Sequence, residues 1–93
     1  MAEAAIVATA RTAIGKAYRG AFNNTHGVDL MGHAIKHAVK RSEIDPLEIE
    51  DILIGCGFPQ VQTGMNVARV SAMRAGMPVT ASAATVNRFC SSG

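Results

Sequence analysis

Three observations predict an α/β fold built on a parallel sheet. Apolar residues make up 48% of the 93, yet aromatics are only 4%. The apolar content is therefore mostly Ala, Val, Ile and Met, the small aliphatic set that fills parallel strands sandwiched between helices. Short apolar runs without helical period alternate with amphipathic helical stretches, in the order strand, helix, strand, helix, strand, interrupted by one short helical turn. A cysteine among small residues follows the last of these runs. It sits where a strand turns into a helix at the edge that open α/β sheets use for ligands.

Taken in order, Ala4 to Ala10 is an apolar run and reads as a first, buried strand. It leads into Arg11-Thr12-Ala13-Ile14-Gly15-Lys16. Gly-Lys after a strand invites a phosphate-loop reading, which fails: the glycine required five positions earlier is Ala10, and no Ser or Thr follows Lys16. Residues 17–27, with Gly20, Asn23, Asn24 and Gly27, have loop chemistry. Val28 to Arg41 has helical period. Val28, Met31, Ile35, Ala38 and Val39 share an apolar face, while Asp29, His33, Lys36, His37 and Lys40 share a face expected in water.

Asp45-Pro46-Leu47-Glu48 starts a short helix, with Asp as cap and Pro at the first helical position. Asp51 to Cys56 reads as the second buried strand, ended by Gly57, Phe58 and Pro59. Residues 60–64 form a polar loop. Asn66 to Ala75 is a further amphipathic helix, stopped by Gly76 with Pro78 beyond. Met65, Met73 and Met77 are expected to fill gaps at a packed interface, and Arg69 and Arg74 to be solvated. Thr80 to Phe89 gives the third strand. If the strands are parallel and joined by right-handed crossovers, their carboxyl ends share one edge.

The formal net charge is +2, with basic residues scattered rather than blocked, so neither nucleic acid nor a membrane surface is an expected partner. Two cysteines make no disulfide framework and fit a reducing compartment. Glu3 and a short apolar run do not make a secretory signal, and no stretch is long enough to span a bilayer. The expected location is the cytoplasm. His33 and His37 stand one helical turn apart, but the zinc-protease motif needs Glu after the first His and Ala34 is there, so no metal site is assigned. His26 is a lone loop histidine. Cys56 reads as a small buried hydrophobe.

Cys90 carries the chemistry. Ala83, Ala84, Thr85 and Val86 feed into Asn87-Arg88-Phe89-Cys90-Ser91-Ser92-Gly93, a pattern of buried strand, sharp turn and helix start. Unpaired N–H groups and the helix dipole at such a place favour a thiolate, the form in which cysteine acts as a covalent nucleophile. The alternative on position alone is a structural thiol.

Asn87 to Gly93 resembles the nucleophile segment of the thiolases. The rest agrees in order: Ala8 to Lys16 is similar to the family's opening strand and loop, and Val28-Asp29-Leu30, the strand from Asp51 to Gly57, and Asn66-Val67-Ala68-Arg69 also fit. The resemblance covers essentially the whole chain. One departure is Ala13, where the family usually has Pro.

The resemblance implies acyl transfer between CoA thioesters, either thiolytic cleavage of a 3-ketoacyl-CoA or the reverse Claisen condensation. Cys90 is then the acyl-carrying nucleophile, its backbone N–H helps hold the oxyanion, and CoA and acyl-CoA serve as substrates with no separate cofactor. Arg88 and Ser91 favour the degradative, β-oxidation type over the biosynthetic one. The family's layered α-β-α-β-α fold would take from this chain its first three strands and two main helices, as an incomplete N-terminal domain spanning residues 1–93. The activating histidine, the second catalytic cysteine and most CoA-binding residues of the family lie beyond Gly93, so this piece alone is expected to be inactive. A homodimer or homotetramer is implied, with Ala83 to Phe89 at the dimer interface.

Two other readings stay open. A ketoacyl-synthase-type condensing enzyme shares the fold and the cysteine, with Asn87-Arg88 arguing against it. A thiolase-like binding protein without turnover is the other. A free-standing protein of this length would expose a sheet edge and an uncovered apolar face, and would aggregate or pair with itself.

Overall fold

The computed structural model describes residues 2–93. Its frame is a helix α1 (Gly27–Ser42), then a strand β1 (Asp51–Gly55), a crossover helix α2 (Val67–Arg74) and a strand β2 (Ser82–Val86). Single 3-10 turns lie at Pro46–Glu48, Val61–Thr63 and Phe89–Ser92. β1 and β2 pair in parallel, Asp51 opposite Ser82 through Gly55 opposite Val86. The ladder runs one residue past each end of β1: the Ser82 N–H donates to the Glu50 carbonyl and the Cys56 N–H to the Val86 carbonyl, each at 3.0 Å.

α1 forms where its periodicity places it. The His26 side chain caps it by accepting from the Val28 N–H at 3.2 Å. Asp29 in the first turn and Lys40 and Arg41 in the last complement the helix dipole. Glu43 ends it in the left-handed region at φ 59°. α2 ends at Gly76, whose φ of 79° is a left-handed stop that a glycine adopts without strain.

Both helices lie on one face of the sheet. Val28, Ile54, Val67 and Ala68 form the buried cluster, with Met31, Ile35, Ile52, Cys56 and Ala83 packed around it. Strand side chains alternate, so Leu53, Ala84 and Val86 fall on the opposite face, which is exposed. Cys56 is a packing residue, as its sequence context indicates.

Four expectations are corrected. Ala4 to Ala10 forms no strand: Ile6 is 89% exposed, and none of the segment's backbone groups joins a ladder among the described residues. A strand is a relation between two segments, and periodicity in one cannot supply the other. The segment instead runs along α1, where Arg41 donates to the Thr9 carbonyl at 2.9 Å. The sheet therefore has two strands, and its strands are covered on one face. Arg69 is half-buried rather than solvated and donates to the Ala81 carbonyl at 2.7 Å, whereas Arg74 stays exposed, as expected, and pairs with Asp29 at 2.7 Å. Of Met65, Met73 and Met77 only Met77 is buried, while Met65 is 96% exposed.

Candidate active site around Cys90

The strand that ends before Cys90 is fixed by a polar stitch to α2. The Asn66 side chain caps α2 by accepting from the Arg69 N–H at 3.2 Å. Its amide donates to the Ala83 carbonyl at 3.0 Å. Its Oδ1 also accepts from the Thr85 hydroxyl at 2.7 Å, and the Thr85 oxygen accepts from the Ala68 N–H at 3.1 Å. One asparagine thus ties the start of α2 to two residues of β2.

Past Val86 the chain leaves the ladder and closes a tight turn. Asn87 Oδ1 accepts from the Phe89 N–H at 2.8 Å, an Asx turn. The Ser92 hydroxyl oxygen accepts from the Arg88 N–H. The Arg88 carbonyl accepts from the Ser91 N–H at 3.2 Å and the Ser91 hydroxyl at 3.0 Å. The amides flanking Cys90 are thereby occupied, while the Cys90 N–H has no partner among the described residues.

Phe89 adopts φ 51°, left-handed backbone for a bulky residue, a conformation that costs on the order of 1–3 kcal/mol and collects at functional sites. The turn presents Cys90 outward as an exposed thiol. It follows the carboxyl end of β2, on the edge that β1 and β2 share because they are parallel.

The helix expected to start at Cys90 is a 3-10 turn, and Cys90 lies inside it, with Arg88 as an N-cap that makes no side-chain hydrogen bond. The Ser92 hydroxyl oxygen on the Arg88 N–H and the Ser91 hydroxyl on the Arg88 carbonyl close the segment into this tight turn. The strand itself is shorter than expected, because Asn87 to Phe89 spend their polar groups inside the turn.

Elsewhere, the rings of His33 and His37 lie 4.3 Å apart, tilted by 48°. Among the described residues no three His, Cys, Asp or Glu side chains gather to hold a metal ion. His26 acts as a helix cap, a role its sequence position does not announce. Two surface hollows of about 510 and 420 Å3 lie along α1, and neither is lined by Cys90.

The comparison with known proteins decides what this arrangement belongs to. The family described as "Thiolase, N-terminal domain" matches residues 4–93. The chain belongs to the thiolase family. It is 43% identical over 93 residues to the 3-ketoacyl-CoA thiolase of Bacillus subtilis (strain 168), covering 100% of this chain and 24% of that protein. It is 42% identical over 93 residues to the 3-ketoacyl-CoA thiolase of Aliivibrio fischeri (strain ATCC 700601 / ES114), covering 99% and 24%. It is 44% identical over 88 residues to the 3-ketoacyl-CoA thiolase B, peroxisomal, of Candida tropicalis, covering 95% and 21%. The chain thus spans about a quarter of the length of these thiolases. No helix among the described residues is long and apolar enough to cross a membrane.

Proposed function

We propose that this chain is the nucleophile-bearing part of a 3-ketoacyl-CoA thiolase and that Cys90 carries the acyl group. The observation that supports this most is the placement of Cys90: an exposed thiol on a strained turn at the carboxyl end of parallel strands, in a chain whose relatives are named 3-ketoacyl-CoA thiolases.

In the thiolytic direction the Cys90 thiolate attacks the 3-keto carbonyl carbon. The bond between C2 and C3 then breaks, its electron pair goes to C2, and a proton there completes acetyl-CoA. An acyl-Cys90 thioester remains. The thiol of free CoA attacks it, Cys90 leaves as thiolate, and the shortened acyl-CoA departs. Sulfur suits both halves, as nucleophile and as leaving group. The unpartnered N–H of Cys90 is a donor for the oxyanion that develops in each step. The proton-transfer groups come from outside residues 1–93, as does most of the CoA site. A cytoplasmic enzyme working as a homo-oligomer through the outer edge of β2 fits the same reading.

The test is the intact mass of the full-length protein containing this segment, before and after incubation with acetyl-CoA. One acetyl group mapped to Cys90, and lost in Cys90→Ala, is expected. A folded full-length protein that takes up no acetyl group would shift the reading to a thiolase-like binding protein. Acylation only from acyl-carrier-protein thioesters would shift it to a condensing enzyme of the ketoacyl-synthase type.

A further inference from the structure

The floor under the Cys90 turn is made of two glycines. Gly55 ends β1 and Gly57 lies two residues on. Gly55 shares a side of β1 with Leu53, the side opposite Ile54 and the helices. The turn after β2 folds back over both glycines. A Cβ at Gly55 would land on the Ser92 carbonyl oxygen, with the Ser92 carbonyl carbon at 3.1 Å and its Cα at 3.2 Å. A Cβ at Gly57 would meet the Phe89 carbonyl oxygen at 2.8 Å and its carbon at 3.4 Å. These contacts are to backbone, so no side-chain rotation relieves them. Phe89 and Ser92 are the two ends of the 3-10 turn that holds Cys90.

Neither glycine is there for its conformation, since the glycines with left-handed φ are Gly76 and Gly93. What Gly55 and Gly57 supply is room. β1 cannot give way, because Ile54 is only 6% exposed in the core and the Cys56 N–H is held by the Val86 carbonyl at 3.0 Å. Any atom added at either glycine must be absorbed by the turn.

We propose that Gly55 and Gly57 are positioning residues for the nucleophile: together they set the height of the Cys90 sulfur and amide above the sheet. The proposal rests on the acyl-transfer reading of Cys90. Restoring ordinary van der Waals separation at Gly57 lifts the turn by on the order of 0.5–1 Å, and a misplacement near 1 Å costs about 100-fold in rate.

The experiment uses the full-length protein with Gly57→Ala, Gly55→Ala and, as control, Leu53→Ala on the same face but away from the turn. Single-turnover acetylation of Cys90 is followed by mass, kcat and KM are separated, and the rate of iodoacetamide alkylation of Cys90 is measured at one fixed pH. Folding of each variant is checked by near-ultraviolet circular dichroism. For folded Gly57→Ala, acetylation slows about 10- to 100-fold with KM for acetyl-CoA changed less than about threefold. Its alkylation rate also changes, while Leu53→Ala keeps both wild-type rates. Folded Gly57→Ala that acylates at the wild-type rate overturns the proposal and leaves the nucleophile assignment intact. Failure of both glycine variants to fold also overturns it, since the glycines would then serve the fold alone. Wild-type protein that takes no acetyl group removes the assignment and the proposal together.

Discussion

Phe89 sits at φ 51° next to the thiol it presents. The Asn87 carboxamide holds its amide at 2.8 Å, so one side chain stabilises a backbone shape that sterics disfavour. The place of Cys90 after a strand was legible in the sequence, because the run from Ala83 to Val86 leads into it, whereas its proposed role came from the resemblance of Asn87 to Gly93 to the thiolase segment. The positive φ was not legible, since nothing in a phenylalanine announces it. The same contrast holds at His37. Its neighbours could be read from a helical wheel; the consequence needs their distances. His33 first, then partial burial, then Arg41, Lys40 and Lys36 hold the His37 pKa below its ordinary 6.5. A base with a lowered folded pKa binds its proton more weakly folded than unfolded. Its contribution to stability is therefore complete above 6.5 and is lost as the pH falls through the lowered value. In an NMR titration of the imidazole, His37 should titrate below 6.5 and move back up in His33→Gln. A midpoint at or above 6.5, or one indifferent to His33, would show that the charges around it are screened.

At the scale of elements, the link between α2 and β2 carries more than either element's propensity. α2 has eight residues, too few to be stable alone in water, and its register on the sheet is set by Asn66. That residue caps the helix, binds the Ala83 carbonyl and accepts from Thr85. Asn66→Ala should lose the cap, worth about 1 kcal/mol, plus the bonds to β2, for a total of about 2–3 kcal/mol. Asn66→Asp keeps the acceptor oxygens but not the donor to Ala83, and should lose less than the alanine variant. Urea unfolding of the full-length protein measures both; equal losses would mean that the acceptor bonds aspartate keeps, from the Arg69 N–H and the Thr85 hydroxyl, contribute nothing. The helices and both strands of this unit were legible within a few residues from apolar period and from Gly76. Ala4 to Ala10 misled because an apolar run encodes the tendency to pair, whereas pairing needs a neighbour with free backbone groups.

For the whole molecule, the uneven cover of the sheet is the controlling feature. Expected radii of gyration for a compact chain of this length are about 12 Å, against 13.8 Å observed, with a long axis of 45 Å. The excess fits an N-terminal segment laid along α1 rather than inserted in the sheet. The helix-covered face buries Ile54 and Val67, while the other leaves Leu53 65%, Val86 46% and Phe89 76% exposed. The outer edges of β1 and β2 are also unpaired among the described residues. Uncovered apolar surface next to open strand edges drives association. A polypeptide of residues 1–93 expressed alone should therefore self-associate, with a sedimentation coefficient that rises over micromolar concentrations. Leu53→Lys places a charge at the centre of that face without touching the core behind Ile54, and should return the polypeptide toward monomer. The outcome separates two causes of association. If Leu53→Lys remains as associated as the parent while Ala83→Pro, which removes a backbone N–H on the outer side of β2, breaks the assembly, the edge of β2 is the adhesive element. A monomeric parent would mean that neither the face nor the edge is sticky, and that the exposed side chains reorganise to cover one another in solution.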